Sequence, residues 1–247
     1  MGIKEDLQAK VQDLAQTSWN EIPNSTAIPD ETSLTFGNSG ARLNVTVLYA
    51  DLAGSTQMVD SIPDVMAAEY YKAFLHCASQ LIRRHNGNIQ AYDGDRVMGV
   101  YLGESQADDA VSTALELNFA VHEIINPVFG YKYGNNHREL KHTVGIDSGR
   151  ILAIKVGVRS AGELTWVGSA ANYAAKLNSF PGLDSDFPTR ITESALSLIR
   201  SSTSKLGSMN EFMWDGPYNN TGKMHYRTRY MRSLPTDASM QPRIRII

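Results

Sequence analysis

The chain has 247 residues, 42% hydrophobic and 20% charged, enough for one large domain or two small ones with an ordinary buried core. Its 23 basic against 26 acidic residues give a formal charge of −3, which leaves no basic footprint for nucleic acid. No apolar run approaches the ~18 residues of a membrane helix and no signal-peptide core opens the chain. The one cysteine, Cys77, excludes an internal disulfide framework, so a cytoplasmic protein that meets no membrane is expected.

Residues 4–19 read as an amphipathic helix, with Leu7, Val11, Leu14 and Trp19 near one stripe. That stripe either packs on the helix's own domain or meets a second copy. Residues 20–42, rich in Pro, Ser, Thr, Asn and Gly, read as a loop. Val45 to Ala50 are β-branched, aromatic or small and read as a strand that Gly54-Ser55-Thr56 breaks. In residues 63–84, Val65, Ala68, Tyr71, Leu75, Ala78 and Ile82 recur at three to four and predict a helix, ended by Asn86-Gly87. Residues 87–101 read as two strands around an Asp93-Gly94 turn. A second long helix is predicted over 108–128, with Ala110, Ala114, Leu117, Val121 and Ile124 inward. A polar loop follows over 130–139, then two strands around Ser148-Gly149 within 140–156. A helix over 169–179, a strand and short helix over 190–198, and a hairpin around 219–222 complete the chain. The order is α+β, with helices on an antiparallel-rich sheet.

Two aspartates stand out. Asp51 ends the first strand, and Asp95 leaves the hairpin turn into its second strand. A carboxylate at a strand end costs several kcal/mol if buried alone, so it needs a cation or exposure. If the hairpin pairs beside the first strand, the two acids converge. Paired carboxylates suit magnesium, which takes one or two of them plus substrate phosphates. The plainer reading is two turn-capping aspartates. No phosphate loop of the G-x-x-x-x-G-K-[ST] kind and no H-E-x-x-H is present, and the six histidines lack ligand spacing.

Four ordered segments carry a resemblance. Asp51-Leu52-Ala53-Gly54-Ser55-Thr56, Gly94-Asp95, Gly145-Ile146-Asp147-Ser148-Gly149 and Gly168 to Leu177 fall in sequence. Together they resemble the class III nucleotidyl cyclase catalytic domain. The resemblance implies a ferredoxin-like βαββαβ fold with an appended C-terminal strand or hairpin unit. It implies residues 1–40 as helix and loop, 41–235 as catalytic domain and 236–247 as tail. By the same resemblance Asp51, Asp95 and the Leu52 carbonyl hold two Mg2+ or Mn2+ ions per site. Asn172 orients the ribose and Lys176, four residues on along one helix face, meets the α-phosphate; most relatives carry Arg there. Arg159 and Lys223 are further candidates for the triphosphate. The substrate is a nucleoside triphosphate, and two chains form a homodimer with shared active sites.

At the positions where relatives read a purine, this chain has Ala91 and Thr165. Tyr49, two residues before Asp51 and so on the same strand face, adds bulk beside the site. The combination resembles the bacterial pyrimidine cyclases of anti-phage signalling, which make cyclic UMP or cyclic CMP for a separate effector. Two other readings remain at this point: a purine cyclase with an unusual pocket, and an inactive cyclase fold serving as a binding module.

Overall fold

The structure, a computed structural model, describes residues 2–19, 21–158, 161–180, 183–184, 186–219, 222–235 and 243–246. In chain order its elements are α1 (Ile3–Gln16), β1 (Gly40–Ala53), α2 (Ser55–Ser61), α3 (Asp64–Arg84), β2 (Asn88–Asp93) and β3 (Arg96–Tyr101). There follow α4 (Gln106–Ala120), a π turn over Val121–Ile125, α5 (Asn126–Tyr133), β4 (Lys141–Val158), β5 (Ala161–Val167) and α6 (Ser169–Lys176). The chain closes with β6 (Thr189–Thr192), α7 (Glu193–Leu198), β7 (Asp215–Tyr218), β8 (His225–Thr228), β9 (Tyr230–Arg232) and β10 (Ile244–Ile246). Two units are distinguished: Met1–Asn44 with Arg150–Ser169, and Val45–Gly149 with Ala170–Ile247.

The larger unit is built on a mixed sheet of order β2-β3-β1-β4-β6-β8-β7. β1 runs antiparallel to β3, β4 parallel to β6, and β6 antiparallel to β8. Helices α3 and α4 pack on one another and on β3. Leu48, Ala50, Tyr70, Phe74, Val97, Val111, Leu115, Val144, Ile146 and Ile191 share its core. Burying each large apolar side chain contributes about 1.5–3 kcal/mol. Tyr101, buried among them, donates its hydroxyl to Thr113 Oγ1 at 2.8 Å, so its polar end is satisfied. Separately, β9 pairs with β10. The α+β expectation with appended C-terminal strands holds.

The smaller unit contains α1, the loop after it, and a ladder between the second half of β4 and β5, from Leu152 opposite Val167 to Val158 opposite Ala161. No residue of α1 is buried, so Leu7, Val11 and Leu14 do not pack on their own domain as the first reading had it. The loop is not wholly irregular. Asp30 caps a single 3-10 turn at Glu31–Ser33, accepting from the Thr32 N–H at 2.7 Å.

Several local expectations are corrected. β4 is one unbroken strand, with no turn at Ser148-Gly149. Ser148 exchanges a hydrogen bond with Thr46 Oγ1 at 2.7 Å instead of folding back on its own backbone, which removes the turn's driving force. The β2–β3 loop is Gly94-Asp95, since Asp93 pairs with Arg96. Asp95 therefore lies in the turn and not in the second strand. Gly94 has φ 62°, the positive value that such a two-residue loop asks of its first residue. In α3 the buried residues are Met66, Ala67, Tyr70, Phe74, Ala78, Leu81 and Ile82; Ala78 and Ile82 lie inward as predicted, whereas Val65 and Ala68 are exposed. In the second long helix Ile125 is buried and Ile124 exposed. Pro127 has no N–H to donate to Glu123, and the π turn before it shifts the helical phase. Residues to Tyr133 stay helical where a polar loop was expected. The residues at the tip of the predicted 219–222 hairpin lie partly outside the described residues, but β7 and β8 flank it as expected.

Candidate active site

The geometry starts from the register of three strands. Tyr49 on β1 stands opposite Met98 on β3, which stands opposite Ala91 on β2. Directly opposed residues project to the same face of a sheet, so these three form one cross-strand row. Two residues along β1 lies Asp51, next to Arg96, which pairs with Asp93. The Tyr49–Met98–Ala91 row and the carboxylate row are thus adjacent on one face. Ala91 is exposed, Tyr49 half-buried and Met98 buried. Thr165 stands half-buried on β5, opposite Ile154 in the smaller unit.

Arg96 ties the two rows together. Its Nη2 and Nε donate to Asp51 Oδ2 at 2.7 and 3.1 Å, and its guanidinium carbon lies 5.9 Å from the Tyr49 ring centroid. Burial pushes the Asp51 carboxyl above the usual range; Arg96 pulls it down, and neighbouring Asp95 pushes it up again by charge and hydrogen bond. Asp51 and Asp95 therefore converge, as the sequence led us to expect. Burial also raises the Tyr71 hydroxyl, with Asp95 and Asp51 adding to the effect.

The donor set fits a divalent cation. Asp95 Oδ2 is buried and has no hydrogen-bond partner among the described residues. An orphaned carboxylate oxygen is costly unless a cation meets it. No group of three or more His, Cys, Asp and Glu side chains is clustered for a metal among the described residues. Two carboxylates and a backbone carbonyl instead suit magnesium, which keeps water and phosphate ligands. Leu52 follows Asp51 on β1 with its side chain buried. Gly54, at φ 70°, then turns the chain into α2.

A second cluster gathers cations. Asn172 and Lys176 are both exposed on α6. Lys176 Nζ lies 4.9 Å from the Tyr173 ring centroid, and Lys223 Nζ lies 4.4 Å from the same centroid. Lys223 donates to Asp147 Oδ2 at 2.8 Å. The structure thus brings Lys176 and Lys223 to one ring. Arg159 lies outside the described residues. Arg96, Tyr173 and Asp147 were not assigned roles from sequence. All three lie in or beside the quoted motifs, but only pairing and packing reveal what they touch.

The mixed sheet and its helices have the architecture of solved nucleotide cyclases. The sequence pattern of the Adenylate and Guanylate cyclase catalytic domain matches residues 39–226. The uridylate cyclase of Xanthomonas perforans is 41% identical over 224 residues, 90% of this chain and 95% of that protein. The uridylate cyclase of Burkholderia cepacia is 42% identical over 194 residues, 78% of this chain and 82% of that protein. Among solved structures, the guanylyl cyclase Cya2 superposes with a TM-score of 0.64 at 16% identity, covering 82% of this chain and 98% of that one. The chain belongs to the class III adenylate and guanylate cyclase family. It is a nucleotide cyclase, a phosphorus–oxygen lyase. No helix among the described residues is long and apolar enough to cross a membrane.

Proposed function

We propose that this cyclase converts UTP, or failing that CTP, to the 3′,5′-cyclic monophosphate and pyrophosphate. The observation that carries the reading is the row Tyr49–Met98–Ala91 lying beside Asp51 and Arg96. A small Ala91 offers no polar group to a purine edge, and an unmet polar group costs about 1–3 kcal/mol. The Tyr49 ring occupies space beside the carboxylates where a larger base would extend. Exclusion of that kind discriminates more strongly than a missing contact. The two relatives named uridylate cyclase support the same choice.

In this reading Asp51, Asp95 and the Leu52 carbonyl hold two Mg2+ or Mn2+ ions. Bound there, the ions supply a lowered 3′-hydroxyl pKa and charge neutralisation at the leaving pyrophosphate. Arg96 substitutes for a cation at Asp51 until the ions arrive. Lys176 and Lys223 grip phosphate oxygens as point charges, and Asn172 orients the ribose. Arg159 is retained as a triphosphate ligand, and Thr165 replaces the second purine-reading group. The catalytic domain spans 41–235, with 1–40 and 236–247 outside it. Two copies share their active sites, in the cytoplasm. The cyclic nucleotide is a second messenger of antiviral defence, read by a separate effector.

The test is product identification by mass spectrometry after incubating the protein with UTP and manganese. Cyclic UMP from wild type, and none from Asp51→Ala, is expected. Absence of cyclic UMP from the wild type would overturn the reading.

A further inference from the structure

We propose that Asp147 is a positioning residue that acts through Lys223. It fixes that ammonium beside Lys176 on the Tyr173 ring and so builds a seat for a polyphosphate. The inference rests on the reading of Lys223 as a phosphate ligand. Asp147 lies on β4 with its side chain fully buried, whereas the Lys223 side chain is 26% exposed. Its Oδ1 accepts from the Ser148 N–H at 2.8 Å and from the Thr192 hydroxyl, and its Oδ2 accepts from Lys223.

A buried ion pair of this kind is a poor source of stability, because desolvation offsets the attraction. What three donors do supply is a fixed carboxylate. The Ser148 N–H and Thr192 hydroxyl already satisfy Oδ1, so Oδ2 is left to direct Lys223. An ammonium has three protons, and one of them serves Asp147. Among the described residues the other two have no hydrogen-bond partner, and the side chain is partly exposed. Lys223 and Lys176 Nζ lie 4.4 and 4.9 Å from one ring centroid, so at most about 9.3 Å from each other, within range for like charges to repel. Gly222, at φ 85°, lets the chain reach this place; a Cβ there would lie 3.4 Å from the Tyr173 hydroxyl. Two cations held together against their repulsion favour a multiply charged anion that meets both.

The test separates positioning from charge. Asp147 is itself negative, so simple electrostatics says that Asp147→Asn tightens polyanion binding. Positioning says the reverse. The readout is the affinity for inorganic tripolyphosphate by calorimetry, which carries no base, so its result is independent of nucleotide choice. Lys223→Met is expected to weaken binding about tenfold, and Asp147→Asn by a similar factor. In the Lys223→Met background, where Asp147 has no ammonium left to direct, Asp147→Asn should change affinity less than twofold. Binding by Asp147→Asn that equals or exceeds wild type would overturn the proposal. So would a change of fivefold or more in the Lys223→Met background, which stays informative if the single variant fails to fold.

Discussion

Arg96 holds Asp51 through two hydrogen bonds, the shorter 2.7 Å. The guanidinium is the counter-ion of Asp51, and on the proposed two-metal reading a bound cation would displace it. Removing it leaves Asp51 a half-buried carboxylate with Asp95 as its neighbour. Arg96→Met should therefore lower metal-free thermal stability and tighten manganese binding about tenfold. Calorimetric titration checks this, and unchanged manganese affinity would count against displacement.

The two acids should differ in their effect on stability, and both should be needed for turnover. Asp51→Ala strands Arg96, so metal-free stability should fall by about 1–3 kcal/mol. Asp95→Asn softens repulsion against Asp51 and can donate from its amide, so metal-free stability should hold or rise. Both variants should lose cyclisation by at least about a hundredfold. Denaturant unfolding together with product assays decides it; turnover near wild type in either would remove the carboxylate pair from the mechanism.

How far was this legible beforehand? A strand through Asp51 and a hairpin turn at Gly94 were readable because both signals are local, although the strand runs on to Ala53 and the turn takes in Asp95. Arg96 follows Asp95 directly, yet its grip on Asp51 depends on β3 pairing with β1, which no local pattern states. Asp147 sat unremarked inside a motif because its partners Thr192 and Lys223 are 45 and 76 residues away. Ser148-Gly149 has turn composition, but Thr46 across the sheet takes the hydroxyl that would close a turn. Ile124 was misread because a strict helical period cannot anticipate the π turn before Pro127.

Shared sites predict complementation. Asp51→Ala and Lys176→Ala are each expected to be inactive alone. Random exchange makes half of the dimers mixed, and one of the two sites in each is intact. About a quarter of wild-type activity should return on mixing. No recovery despite demonstrated subunit exchange would contradict shared sites.

His142 should set part of the acid limit of stability. It is buried 6.1 Å from the Phe74 ring, and its Nε2 has no partner among the described residues. Burial, with a smaller effect from His122, lowers its pKa to about 3. The unfolded chain takes up that proton near pH 6.5. Stability present above pH 6.5 is therefore lost as pH falls toward 3, by about 2 kcal/mol between pH 6.5 and 5. His142→Phe should remove that share of the slope while keeping stability at pH 7. Urea midpoints at pH 7 and 5 measure it; equal slopes in both proteins would contradict the assignment.

On the proposed reading, Tyr49 and Ala91 set the base. The most direct measurement is a competition: wild-type protein, manganese, and UTP, CTP, ATP and GTP at equal concentration in one tube, with products separated and quantified. Cyclic UMP should dominate, followed by cyclic CMP, with purine products at least about tenfold lower. Tyr49→Ala in the same tube should raise the purine share while sparing cyclic UMP. Cyclic AMP as the main wild-type product would contradict the pyrimidine assignment.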